Sequence, residues 1–357
     1  MAKIDKFFRK LKDMEGSDLH MLSGQPPKFR IHGNLEPLKM DALSNAECEA
    51  LLFELLSPRH RKIFDEKMDV DFAYEVPDCA RFRCNYFRQQ HGIAAVFRTI
   101  PTKIRTLEDL GVPETCYRFA EIKSGLVLVT GPTGSGKSTT LAAIIDFINR
   151  TSSRHIITIE DPIEYTHENK RSCVTQREIG QDAESFSTAL KAAMREDPDV
   201  VLVGEMRDLE TISLAITAAE MGNIVFGTLH TNSAAKTIDR IIDVFPEDQQ
   251  AQVRTMLSVS LQGVVSQLLL RRADGQGRVP VNEILLGSPA LANIVREGAV
   301  AKINQYIESG RGEGMQLMDD AIMHHLKEGN VTPQEAYMKA FDKSRFESLY
   351  AAAGGEE

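Results

Sequence analysis

The feature that most constrains this chain is a glycine-rich segment between an apolar run, GLVLVT, and a stretch with helical periodicity. The segment fits the pattern G-x-x-x-x-G-K-[ST], and the stretch after it places Leu141, Ile144, Ile145 and Ile148 on one helix face. A strand, a loop and a helix in this order predict a phosphate-binding loop rather than an ordinary turn. The segment consists of Gly131, Pro132, Thr133, Gly134, Ser135, Gly136, Lys137 and Ser138, and Thr139 follows it.

The chemistry of such a loop specifies its ligands. Glycines let the backbone wrap closely around phosphate oxygens, while backbone N–H groups and the helix N-terminus supply positive potential. Lys137 is expected to reach the β- and γ-phosphates, and the Ser138 hydroxyl is expected to bind Mg²⁺. We therefore predict ATP and Mg²⁺ as the ligands of residues 131–139.

Three further apolar runs end in Glu160, Glu205 and His230, and Glu164 follows shortly after the first of them. Because the carboxyl ends of parallel strands meet at one edge of a sheet, we expect these side chains beside the phosphate-binding loop. The alternatives are solvated carboxylates at strand ends and a histidine with a purely structural role.

The predicted roles follow from phosphoryl transfer to water, in which positioning and charge stabilisation dominate. Glu205 would orient or deprotonate the attacking water. Glu160 and Glu164 are assigned to the Mg²⁺ and water shell, and the pattern does not say which does what. His230 would face the γ-phosphate and sense the nucleotide state.

One lysine seldom neutralises the charge that develops on the γ-phosphoryl oxygens, so arginines are also expected at the site. The candidates are Arg195 and Arg207, which flank the strand before Glu205, and three arginines from the first hundred residues, Arg81, Arg83 and Arg98. For Arg81 and Arg83, alternation on one solvated strand face is an equally good explanation.

The periodicity predicts two domains joined by a linker. Residues 1–100 alternate short extended segments with one helix at 45–56, which predicts an α+β domain with an antiparallel sheet. Residues 101–112 form the expected linker, and residues 113–357 alternate strands with helices, which predicts an α/β domain with a mostly parallel sheet. After Arg272 the pattern is mainly helical. The predicted extended segments of the first domain are 17–22, 28–33, 69–74, 81–89 and 93–100.

Composition narrows the class of protein. The net charge of −9 and the pI near 5.6 disfavour a surface built for nucleic acid. No apolar run approaches the roughly 20 residues that span a bilayer, and the N-terminus lacks the apolar core of a secretion signal. The five cysteines lack metal-ligand spacing. We therefore expect a cytoplasmic protein without a disulfide framework.

Four motifs follow one another along the chain: GPTGSGKST, ITIEDPIE, AMREDPDVVLVGEMRD and GTLHTNSA. In this order and spacing they resemble the secretion-ATPase superfamily, whose members power type II and type IV secretion and type IV pili. Other segments resemble its pilus retraction motors: SDLH at 17–20, RFRCNYFRQQ at 81–90, FRTIP at 97–101 and ALANIVREG at 290–298. The similarity covers nearly the whole chain, although Ala292 stands where the retraction motors usually carry arginine.

The resemblance implies a PAS-like N-terminal domain linked to a RecA-like ATPase domain, with Arg83 and Arg98 near the γ-phosphate. It also implies a homohexamer at the cytoplasmic face of the inner membrane, docked on the pilus platform protein, that uses ATP to withdraw pilin subunits. A second, accessory retraction ATPase is a further expected partner, and nucleic acid is not expected.

Three other interpretations stay open from the sequence. The chain could itself be the accessory retraction ATPase, which shares all the core motifs. It could be a RecA-like translocase of nucleic acid, or a scaffold that binds ATP without hydrolysing it. Brisk ATP hydrolysis by the isolated chain and pilus retraction by the chain alone would separate it from the accessory ATPase. Stimulation of ATP turnover by DNA would indicate the translocase, and loss of hydrolysis in Lys137→Ala or Glu205→Ala would exclude the scaffold.

Overall fold

The computed structural model of this chain describes residues 2–31, 33–100 and 103–354. The chain divides into two compact units, Met1–Lys103 with Pro162–Thr166, and Ile104–Asp161 with His167–Glu357. Of the predicted linker, residues 101 and 102 lie outside the described residues, and Leu107–Leu110 forms a short helix of the second unit. Within the described ranges no helix is long and apolar enough to cross a membrane.

The N-terminal unit combines a sheet with three helices, counted over residues 2–31 and 33–100. Its strands, all antiparallel to their neighbours, lie in the order β3-β2-β1-β6-β5-β4. Its elements are α1 (Asp5–Asp13), β1 (Asp18–Leu22), β2 (Lys28–Ile31), β3 (Asn34–Pro37), α2 (Asn45–Phe53), α3 (Pro58–Lys67), β4 (Asp69–Val76), β5 (Ala80–Gln89) and β6 (Gly92–Ile100).

Alternation along β5 shows why this segment forms a half-buried strand. Phe82, Cys84 and Tyr86 are buried, whereas Arg81 and Arg83, which alternate with them along the strand, are partly exposed. Side chains of successive strand residues point to opposite faces, so one face joins the core and the other carries the arginines. Phe8 of α1 stacks on Phe82 with ring centroids 4.3 Å apart, so the apolar face of this basic helix is buried within its own unit.

The second unit is built on a seven-stranded sheet, counted over the described residues, in the order β13-β12-β7-β11-β10-β8-β9. All neighbours are parallel except β12 and β13, which form an antiparallel hairpin. Its strands are β7 (Gly125–Thr130), β8 (His155–Glu160), β9 (Cys173–Glu178), β10 (Val200–Val203), β11 (Ile224–Leu229), β12 (Leu261–Arg271) and β13 (Arg278–Leu286).

Helices cover this sheet and bury an apolar core made by strands that are apolar on both faces. Short 3₁₀ helices occupy Val300–Lys302, Arg311–Glu313 and Lys343–Arg345. The α-helices are α4 (Leu107–Leu110), α5 (Thr115–Glu121), α6 (Lys137–Thr151), α7 (Phe186–Ala193), α8 (Leu209–Glu220), α9 (Ala234–Asp243), α10 (Glu247–Ser260), α11 (Pro289–Arg296), α12 (Ile303–Ser309), α13 (Met318–Lys327), α14 (Pro333–Lys339) and α15 (Glu347–Ala352).

The predicted fold class, an α+β unit followed by an α/β unit with a mostly parallel sheet, is confirmed. The expectation of mainly helical structure after Arg272 is wrong for β13, which pairs along its whole length with β12. Pro280 and Asn282 interrupt the apolar run of β13, and that interruption conceals the strand in the sequence.

Candidate active site

The predicted functional strand ends lie at one edge of the parallel sheet. Backbone hydrogen bonds connect the loops that follow them. Gly204 N donates to Ile159 O at 2.8 Å, Met206 N to Thr228 O at 3.0 Å, and Gly131 N to Leu229 O at 3.3 Å. These bonds connect the loop after β10 with the ends of β8 and β11, and the glycine-rich loop after β7 with the end of β11.

The glycine-rich loop has the backbone conformation that its glycines permit. Gly136 precedes α6 with φ of 87°, and Gly134 has φ of 78° with no atom near its missing Cβ. Lys137 is 8% exposed, and its Nζ donates to Gly131 O at 2.8 Å and to Pro132 O at 3.2 Å. The ammonium group is thus held inside the loop at the N-terminus of α6.

This loop fits a phosphate-bearing ligand. Ser135 Oγ is buried and, within the described residues, has no hydrogen-bond partner, so it can bond to a group that enters the loop. Helix α6 begins at Lys137, so its first N–H groups and its dipole favour an anion there. Within residues 2–31, 33–100 and 103–354, no group of three or more His, Cys, Asp or Glu side chains is arranged to hold a metal. Ser138 lies in the first turn of α6, and its role as a ligand of Mg²⁺ stays a prediction.

Glu205 lies between two cationic or potentially cationic side chains. Its Oε1 is 2.9 Å from His230 Nε2 and accepts a short hydrogen bond from Arg207 Nε. Partial burial raises the pKa of Glu205, but the hydrogen bond and charge of Arg207, together with His230, outweigh burial and lower the pKa below its ordinary value. The carboxylate is therefore ionised at neutral pH and is oriented from two sides.

Glu160 lies next to this group at the end of β8. Its Oε1 accepts hydrogen bonds from Thr158 Oγ1 at 2.7 Å and from Gln176 Nε2 at 3.3 Å. Glu164 is half-buried and belongs to Pro162–Thr166, which groups with the N-terminal unit. The metal and water-shell roles of both carboxylates stay predictions.

Arg195 lies apart from the other predicted site residues of the second unit. It is exposed and lies between α7 and the start of β10, and nearby Asp199 accepts a hydrogen bond from His155 N at the start of β8. The starts of parallel strands lie at the edge opposite their ends. Arg195 therefore lies away from the phosphate-binding loop of its own chain, and its contribution of charge to a nucleotide site stays a prediction.

Two of the three candidate arginines in the N-terminal unit, Arg83 and Arg98, have carboxylate partners inside that unit. Arg83 Nη2 lies 2.6 Å from Asp71 Oδ2, and Arg98 Nε lies 3.0 Å from Asp18 Oδ1. Arg81 lies beside them on β5 and is partly exposed. Their predicted contacts with the nucleotide stay predictions.

A cavity of about 600 Å³ opens beside the loop. Pro132 and His230 both line it, with Lys236, Leu268 and Phe341 among the other lining residues. Its volume falls within the range of small-molecule sites, roughly 300–1,000 Å³. The start of the phosphate-binding loop and the predicted sensor histidine thus face the same space.

Sequence reasoning missed Gln267, a buried glutamine on β12 whose Nε2 donates to Ser135 O at 2.6 Å. The signal was a single amide side chain within the apolar run LQGVVSQLLLR. A buried polar side chain needs a partner, so such a residue can indicate a contact with a loop. Without the prediction of β12 there was no reason to place it next to residues 131–138.

Comparison with known proteins gives matches along nearly the whole chain. The model of the type II/IV secretion system protein family matches residues 3–355. The type IV pilus retraction ATPase PilT of Pseudomonas aeruginosa is 51% identical over 91% of this chain and 94% of its own. The type IV pilus ATPase PilU of the same species is 38% identical over 95% of this chain and 88% of its own.

A solved structure is also similar to this chain over nearly its whole length. The crystal structure of the pilus retraction motor PilT with bound ADP superposes with a TM-score of 0.90 at 43% identity, and the match covers 98% of this chain and all of that one. Identity at this level and coverage of both units extend the similarity well beyond a shared fold.

Proposed function

This chain belongs to the type II/IV secretion system protein family, and we propose that within it the chain is the ATP-hydrolysing motor that retracts type IV pili. The observation that carries the motor chemistry is the meeting of Lys137, Glu205 and His230 at one sheet edge. The full-length similarity to a pilus retraction ATPase, which exceeds that to PilU, supports retraction as the task.

The chain is a P-loop ATPase, and its residues divide the work of hydrolysis. We propose that Lys137 Nζ exchanges its bonds to the loop carbonyls for bonds to the β- and γ-phosphates. Loop N–H groups hold the same phosphates. Mg²⁺, when bound with ATP, would be held by the Ser138 hydroxyl, with Glu160 and Glu164 in its water shell, and would neutralise charge on the phosphates.

Glu205 is proposed to position the water that attacks the γ-phosphorus. The bond from phosphorus to the β,γ-bridging oxygen breaks, and the proton of the water leaves toward the carboxylate. A carboxylate with a lowered pKa is a weak base, but the transition state of phosphoryl transfer is loose and needs orientation more than basicity. His230 fixes the carboxylate by its contact with Oε1.

We further propose that the motor is a homohexamer at the cytoplasmic face of the inner membrane. Its partner there is the pilus platform protein, and a PilU-like ATPase is a second partner. Glu164, Arg81, Arg83 and Arg98 of the N-terminal unit contribute to the nucleotide site. We also propose that residues 1–100 form a PAS-like domain, residues 101–112 a linker and residues 113–357 the ATPase domain.

Sedimentation or mass measurement with ATP tests the hexamer: a sixfold mass supports it, and a stable monomer contradicts it.

Pilus length and twitching motility in a deletion strain test the function. The strain is complemented with wild type, Lys137→Ala, Glu205→Gln or the control Glu220→Gln, whose exposed carboxylate ends α8 at the opposite sheet edge. Retraction motors predict long, static pili without complementation and with the first two variants, and normal twitching with wild type and the control. Cells without pili would show an assembly function instead.

The accessory role is distinguished in the same strain. If the chain retracts pili when any second retraction ATPase is also deleted, it is the principal motor. If retraction needs that second ATPase, the chain has the accessory role. Stimulation of ATP turnover by DNA, reversed by salt, would instead indicate a nucleic-acid translocase.

A further inference from the structure

We propose that Gln267 is a positioning residue that orients the Ser135–Gly136 peptide so that its N–H faces the bound phosphate. The inference rests on the proposed nucleotide site and adds to it a residue from the β12–β13 hairpin. Gln267 does not itself touch the nucleotide. Its effect passes through the backbone of the phosphate-binding loop.

The place of Gln267 in the sheet brings it to the loop. Strand β12 runs parallel to β7, with Ser266 opposite Thr130, so the next residue on each strand is Gln267 and Gly131. A Cβ on Gly131 would come within 2.3 Å of Gln267 O, and the φ of Gly131 is 144°. The loop therefore begins in close backbone contact with Gln267, at a position that only glycine fits.

Both polar atoms of the Gln267 side chain form hydrogen bonds. It is 2% exposed, its Oε1 accepts from Thr140 Oγ1 at 2.8 Å and from Asn282 Nδ2 at 3.1 Å, and its Nε2 donates to Ser135 O at 2.6 Å. Because two donors occupy the oxygen, the amide orientation is fixed and Nε2 faces the loop. Thr140 and Asn282 are themselves buried, so the network is shielded from water.

Peptide geometry turns this contact into a functional one. In a planar trans peptide the C=O and the N–H point in opposite directions. Holding Ser135 C=O against β12 therefore turns the Gly136 N–H away from β12, to the side on which a phosphate would lie. Gly136 has a φ of 87°, and glycine, which lacks a Cβ, reaches this and many other conformations without strain, so the orientation of the preceding peptide needs an external contact. Gln267 supplies that fixation.

The test compares three variants of the full-length protein with wild type. Gln267→Met removes the amide at nearly constant length, and Gln267→Glu keeps the acceptor but replaces the donor that faces Ser135 O. Gln262→Met is the matched control, because Gln262 lies at the other end of the same strand beside Gly125. The measurements are Kd for Mg·ADP and for Mg·ATP with a fluorescent analogue, kcat, KM, and the melting temperature without nucleotide.

We expect Gln267→Met to weaken the binding of both nucleotides by about ten-fold. This is the loss in affinity expected when one hydrogen bond to a charged phosphate is no longer well directed. Gln267→Glu should weaken them more, because an acceptor then faces Ser135 O and negative charge is added near the phosphates. The kcat at saturating ATP should change much less than KM, because ground state and transition state share the contact. The control should match wild type.

Three results would overturn the inference: nucleotide affinity within two-fold of wild type in both Gln267 variants, an equal loss in Gln262→Met, or failure of both Gln267 variants to fold. The last would assign Gln267 to the core alone. These outcomes are independent of pilus retraction, since a chain that binds nucleotide normally but does not retract pili would contradict only the proposed function.

Discussion

His230 Nε2 lies 2.9 Å from Glu205 Oε1, and the two residues follow adjacent parallel strands of the sheet. Arg207 contacts the same carboxylate oxygen from the other side. A carboxylate at the carboxyl edge of the sheet is thus held by two side chains beside the phosphate-binding loop. This arrangement leads to two predictions on catalysis.

Replacement of Glu205 by glutamine should separate ATP binding from hydrolysis. The amide keeps the shape of the side chain but cannot take a proton or orient water as a carboxylate does, so turnover should fall by about 100-fold or more. Affinity for Mg·ATP should stay within a few-fold of wild type. Steady-state turnover and equilibrium binding measure the two effects, with Glu220→Gln as the control. Turnover near that of wild type would show that another group positions the water.

The acid limb of the pH–activity profile should respond to Arg207. Arg207 lowers the pKa of Glu205, so the carboxylate stays ionised, and the enzyme active, into more acid solution. Arg207→Ala removes that contribution, and the fall in activity should then begin at higher pH. Arg150→Ala is the control, because Arg150 is an exposed arginine in the last turn of α6 whose carboxylate partner is Asp146 rather than Glu205. An unchanged acid limb in Arg207→Ala would contradict the assignment of Glu205.

His167 should make the second unit less stable in acid. Burial lowers the pKa of His167 to about 4, so the folded state keeps it neutral while the unfolded chain takes a proton below its ordinary value of 6.5. Stability from this group is complete above 6.5 and is lost as the pH falls toward 4. Between pH 7 and pH 5, His167 should lower the free energy of unfolding by about 2 kcal/mol.

Denaturant unfolding at the two pH values tests this effect. His167→Leu should show a loss of unfolding free energy smaller by that amount, whereas His324→Leu, an exposed histidine of α13, should behave as wild type. Equal losses in wild type and His167→Leu would show that the histidine is not buried in the neutral form.

Thiol reactivity tests the placement of β9. Cys173 is exposed at the start of this strand, whereas Cys48, Cys79, Cys84 and Cys116 are buried, and burial raises the pKa of Cys116 to about 12. One thiol per chain should therefore react rapidly with a disulfide reagent, because the thiolate is the reactive form and needs access. Cys173→Ser should abolish the rapid phase. A rapid phase that survives this change would place another cysteine at the surface.

The parts of the structure that the sequence predicted are those with a local signal. The loop at residues 131–138 has a distinctive pattern, and β7, β8, β10 and β11 are apolar runs with clear ends. Their parallel pairing followed from alternation with helices. The convergence of Glu160, Glu205 and His230 could therefore be predicted without coordinates.

The missed parts lack such signals. Strand β3 is exposed along its length, so it has no apolar periodicity. Strand β12 follows α10 without a break, and an apolar run beside a helix can continue that helix equally well. The position of Arg195 depends on strand direction: it is near β10 in sequence, but it precedes the strand and so lies at the edge opposite Glu205. The position of Gln267 beside the phosphate-binding loop could be predicted only with knowledge of β12 and of its register with β7.

The central claim is that the loops at one sheet edge converge on a single Mg·ATP. A crystal structure of the chain with Mg²⁺ and a non-hydrolysable ATP analogue tests it most directly. We expect Lys137 Nζ on the β- and γ-phosphates, the metal on the Ser138 hydroxyl, and a water between Glu205 and the γ-phosphorus. Phosphates bound away from residues 131–138, or a γ-phosphate that faces neither Glu205 nor His230, would contradict the claim.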